Sequence, residues 1–175
     1  MIRKAQGFAL IDMIFVTGVI GLLMSIAMPR LIMAKQSAGA ASAIGSMRAI
    51  GSAQLSYALT CGGGFYAPNL STLGTPPPGA TEAFISAGLG SADSIVKAGY
   101  TIQMTATPFP GAPGACNGLA PGSAGQAFVA GADPTDVSNS RFFAINANNV
   151  IYEDNVSLYA AMPEVGEPAA GHVLR

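Results

Sequence analysis

The chain has no tryptophan, a single histidine (His172), two cysteines, and charged side chains at only 10% of its 175 positions. Each scarcity removes a class of function. One histidine, near the end of a Gly/Pro-rich tail, leaves no Ser-His-Asp or Cys-His arrangement, and neither a Walker loop nor an HExxH motif is present. Gly62-Gly63-Gly64 lacks the lysine and the preceding strand of a phosphate loop. Aromatic residues make up 7% of the chain, too few for a stacked nucleic-acid platform. Catalysis and cofactor binding are therefore not expected.

What is present is unevenly placed. Residues 1–59 carry Arg3, Lys4, Arg30, Lys35 and Arg48 against Asp12, a balance of +4, while the remainder has a balance of −5. A basic first third and an acidic remainder lack the concentrated basic face that nucleic acid requires. Gly and Pro account for 27 of the last 116 residues, which predicts a loop-rich globular head over 60–175. No internal repeat is found.

The decisive stretch is KAQGFALIDMIFVTGVIGLLMSIAMP. From Met13 to Pro29 it holds no charge. Phe8 to Met28 has about the 20 residues that cross a hydrocarbon core as a helix, and Arg3 and Lys4 would keep the leader cytoplasmic. Asp12 breaks the pattern, because a carboxylate at membrane depth costs on the order of 2.5–3.5 kcal/mol on insertion scales. A plain membrane anchor leaves that acid unexplained. A secretory signal with Ser25-Ile26-Ala27 as a small-x-small cleavage site, releasing a secreted binding module, leaves it unexplained too.

Gly7-Phe8-Ala9-Leu10-Ile11-Asp12 resembles the processing motif of type IV pilins and type II secretion pseudopilins. The resemblance implies a leader, residues 1–7, removed after Gly7 by a prepilin peptidase, with N-methylation of Phe8. Asp12 stands where the family usually has glutamate. Gly18, Gly21 and Pro29 fall where family members often carry helix-loosening residues, so the helix is expected to kink or melt locally there. Cleavage would create an α-amino group on Phe8 with a reference pKa of about 7.7–8.0. That cation is a natural partner for the Asp12 carboxylate of a neighbouring subunit, and such buried pairs are best attested as devices that set register. The implied partners are further copies of the chain in a helical filament, the peptidase and an inner-membrane assembly machine. The implied location is the bacterial inner membrane, then an extracellular pilus or a periplasmic pseudopilus.

Architecture follows the same lines. Residues 8–29 read as a transmembrane or filament-core helix, and 30–59 as an amphipathic stalk whose Ile44, Met47 and Leu55 suit one face. Gly39, Gly45 and Gly51 would suit close helix–helix approach in a filament core. Beyond Thr60, a turn is predicted at 69–73, a short helix at 81–87, and strands at 100–105, 126–130, 141–145 and 150–152. Asn146 to Asn149 supplies the last turn. The predicted class is α+β, a long N-terminal helix on an antiparallel sheet of about four strands, as in a pilin head. Cys61 and Cys116, an even pair in an exported chain, suggest a disulfide.

Two weaker signals remain. Asp133, Asp136 and Asn139 offer hard oxygen ligands in a region where some pseudopilins bind calcium. Two acids without a glycine-centred ligand loop read more simply as a turn. Asn69-Leu70-Ser71 and Asn155-Val156-Ser157 match the glycosylation pattern, a motif short enough to arise by chance.

Overall fold

Fifty-one residues, Leu10–Thr60, form one α-helix, α1, in the computed structural model of the chain, which describes residues 10–174. The chain divides into two units, 1–37 and 38–175, each described by itself. Gly7 and Phe8 lie outside the described residues.

In the first unit every residue from Leu10 to Lys35 is exposed. Gly18 and Gly21 have open space where a Cβ would be. Pro29 lies inside α1, with helical residues on both sides, so the melting expected there is absent. A proline removes one N–H from the ladder, and the adjoining turns keep theirs.

In the second unit α1 buries Ala40, Ala43, Met47, Ile50, Gln54 and Tyr57, with Cys61 just past its end. Spacings of three and four, repeated, keep those residues on one helical face. Met47 lies on that face as expected and Ile44 packs beside it, but Leu55 is turned out to solvent. Gln54 takes the inward place that the apolar pattern gave to Leu55. It can do so because its amide is fully used: Nε2 donates to the Ala67 carbonyl (2.8 Å) and Oε1 accepts from the Ala67 N–H (2.9 Å).

The sheet has six antiparallel strands in chain order: β1 (Ser94–Lys97), β2 (Tyr100–Thr105), β3 (Val129–Pro134), β4 (Phe142–Asn146), β5 (Ile151–Asp154) and β6 (His172–Val173). The α+β class stands, and the strand count rises from about four to six. The strand predicted at 126–130 is displaced to Val129–Pro134. Gly131 and Pro134 resemble breakers, but a Cβ at Gly131 would lie 2.7 Å from that of Tyr159, so glycine lets the ring lie on the strand. β1 is closed onto β2 by Ala98 (φ 52°) and Gly99 (φ 81°), the positive pair of a tight hairpin. Asn149 (φ 60°) makes the predicted turn between β4 and β5.

Two short helices precede the sheet. In α2 (Leu70–Leu73), Asn69 caps the first turn by accepting from the Thr72 N–H at 3.0 Å. The helix predicted at 81–87 is instead irregular, and α3 (Ala87–Gly90) begins where it was to end. Phe84 overrides the local preference: its ring meets Tyr57 edge-on, 5.2 Å between centroids, and its N–H donates to Leu73.

Each face of the sheet has its own core. Toward α1, Met47, Ile50 and Tyr57 meet Tyr100, Ile102, Phe143 and Ile145. On the other face, Val129, Ala144 and Tyr152 lie under Leu158 and Met162 of the C-terminal loop. Asn146, fully buried, holds that loop by donating to the carbonyls of Pro163 (3.0 Å) and Gly166 (2.7 Å).

Candidate assembly surface

The first 26 described residues form the largest surface that the fold leaves uncovered. Leu10 is 76% exposed, Phe15 72%, Leu22 71% and Ile26 65%. An 18-residue window within α1 reaches a mean hydropathy of 2.2 with none of it buried, long and apolar enough to span a membrane. Contiguous apolar area on this scale marks contact with lipid or protein rather than water.

Its two hydroxyls turn back onto the helix. Thr17 Oγ1 donates back to the carbonyls of Met13 and Ile14, both at 3.0 Å, and Ser25 Oγ to that of Leu22 at 2.8 Å. Each hydroxyl is thus satisfied inside its own helix. Asp12 has no hydrogen-bond or ion partner among the described residues. The surface is therefore a long apolar wall with one unmatched carboxylate near its start.

Cys61 and Cys116 are bonded to each other across 55 residues. The Cys116 N–H also donates to the Cys61 carbonyl at 3.2 Å. The bridge ties the end of α1 to the loop between β2 and β3. The possible calcium ligands do not converge. Asn139 donates to the Tyr100 hydroxyl (3.0 Å), Asp133 accepts from Ser157 Oγ (2.6 Å), and Asp136 accepts from the Ser138 N–H (2.9 Å). Among the described residues no group of three His, Cys, Asp or Glu could hold a metal. His172, near the end of the Gly/Pro-rich tail, sits in β6 opposite Glu153.

The one ion pair among the described residues escaped the sequence reading. Arg141 grips Glu153 with both arms of its guanidinium, at 2.5 and 3.1 Å, and lies 5.3 Å from the Phe143 ring centroid. The hydrogen bond from Arg141 holds the Glu153 carboxyl below its usual range, and burial opposes it. The same bond raises Arg141. With His172, Val173 and Leu174 these residues line an open cleft of about 620 Å³. Within it the Arg141 guanidinium is committed to Glu153. Only the register of β4 on β5, Phe143 opposite Glu153, brings Arg141 and Glu153 together; no linear motif signals it.

The layout of a long N-terminal apolar helix with a sheet is compatible with pilin-like proteins. No family model, curated protein or solved structure matches the chain.

Proposed function

We propose that this chain is a structural subunit of a type IV pilus-like filament. It is made as a membrane-held precursor, cut after Gly7 by a prepilin peptidase, methylated at Phe8 and polymerised by a separate inner-membrane machine. The supporting observation is the exposed apolar wall of Leu10–Ile32 with the single unpartnered acid Asp12. Copies that stack these helices bury the wall, at roughly 25 cal/mol per Å² of apolar surface. Stacking in one register also brings the Phe8 amine of one copy to the Asp12 of another. The head contributes surface rather than catalysis.

The test is a mass measurement on filaments sheared from the source cells, together with a variant series. Filaments should consist mainly of this chain, beginning at methylated Phe8. Asp12→Ala should still be cleaved and remain in the membrane but enter filaments poorly, since breaking one side of a buried pair costs about 3–5 kcal/mol. Asp12→Glu should assemble and Asp12→Asn should not. Equal ratios of filament to membrane pool for Ala, Asn and the natural residue would discard the pairing.

A further inference from the structure

The two N-x-S sites stand in opposite structural settings. At Asn69 the side chain is already engaged: Oδ1 accepts from Thr72 N–H (3.0 Å), Thr72 Oγ1 (2.6 Å) and Ser71 Oγ (3.1 Å). Ser71 Oγ also donates to Asp93 (2.5 Å), and Leu70 between them is fully buried. A transferase that binds the motif as an extended peptide would have to pull Leu70 from the core and dismantle the cap of α2.

At Asn155 nothing stands in the way. The motif follows the end of β5, Asn155, Val156 and Ser157 are all exposed, and Val156 is 57% accessible. The Asn155 side chain makes no hydrogen bond among the described residues; only its backbone N–H is held, by Asp154 Oδ1 at 2.7 Å. Ser157 Oγ has a single contact, with Asp133 Oδ2 at 2.6 Å, and its hydroxyl is free to rotate away. A surface asparagine in this motif is an acceptor for sugar.

We propose that Asn155 is the site of N-linked glycosylation in the exported protein and that Asn69 is left bare. The donor is a polyprenyl-diphosphate-linked oligosaccharide. The amide nitrogen of Asn155 bonds to the anomeric carbon, the carbon–oxygen bond to the diphosphate breaks, and the polyprenyl diphosphate leaves with that electron pair. The amide proton passes to a base of the transferase. The proposal rests on the proposed function only in requiring that the head be exported.

The test is peptide mass mapping of the full chain purified from its source cells. The peptide containing Asn155 should carry at least one sugar, and that containing Asn69 none. Asn155→Gln and Ser157→Ala should each remove the sugar, Ser157→Thr should retain it, and Asn69→Gln should change nothing. An unmodified Asn155, or a sugar on Asn69, overturns the inference. The amino-terminal peptide in the same digest decides separately whether the chain begins at Phe8, so the filament reading and this one can fail independently.

Discussion

Two residues in the core carry polar chemistry with measurable consequences. Gln54 completes both hydrogen bonds of Ala67 from within the helix-side core, so Gln54→Leu fills similar volume but leaves a buried N–H and a buried carbonyl unmatched. That should cost about 2–4 kcal/mol, read as a lower urea midpoint in detergent. Tyr57 is fully buried with no partner for its hydroxyl, and burial raises its pKa to about 12. An unfolded tyrosine ionises near 10, while the folded one keeps its proton to about 12. The unfolded state therefore holds fewer protons in that window, and stability should fall as pH rises from 10 to 12. Tyr57→Phe should flatten this part of the stability–pH curve without destabilising the protein at pH 7. An unchanged slope would show that Tyr57 does not titrate with unfolding.

At the scale of elements, α1 carries three glycines six residues apart whose surroundings differ. A Cβ on Gly39 would lie 2.7 Å from the Ala98 carbonyl at the tip of the β1–β2 hairpin, and one on Gly51 would strike Asn149 in the β4–β5 turn. Gly45 meets nothing within 4 Å. Gly39→Ala should thus destabilise by about 1–3 kcal/mol through overpacking. Gly45→Ala should stabilise by about 0.5–1 kcal/mol, because it removes only the entropy cost of a helical glycine. Paired thermal melts check the opposite signs. Two of these glycines, then, make room for the head's own turns. The sequence could show that three glycines shared a helix, but not what approached them, since the partners lie 59 and 98 residues downstream of Gly39 and Gly51. β2, the Asn146–Asn149 turn and the end of α1 were legible because strong local signals mark them. β1 and β6 were not: one is four residues closed by Ala-Gly, the other two residues in a Gly/Pro-rich tail, and both are held by neighbouring strands rather than by propensity. The apolar run from Met13 was legible from composition alone, because a run without charge needs no tertiary information to be recognised.

For the molecule as a whole, the single covalent crosslink spans 55 residues between the end of α1 and the loop before β3. On the chain-entropy model, closing such a loop contributes about 4 kcal/mol, a large share of the 5–15 kcal/mol typical of a domain. Reduction should lower the melting temperature of the head markedly, and Cys61→Ser/Cys116→Ser should reproduce the loss without reductant. Because Cys116 is exposed, reductant should reach the bond without prior unfolding. A melting temperature indifferent to reductant would remove the bridge from the account of stability.

The strands follow one another in chain order, whereas the helix that covers them comes first. That order has a consequence in time. As the chain is synthesised, Met47, Ile50 and Tyr57 emerge well before Phe143 and Ile145, the residues that shelter them. At a synthesis rate of about 5–20 residues per second, the interval is on the order of 5–20 s. For that interval the inward stripe of α1 is bare alongside the apolar wall that precedes it. The newborn chain therefore presents two apolar surfaces in succession: the stripe is later shielded by its own sheet, and the wall, from 10 to 35, stays exposed.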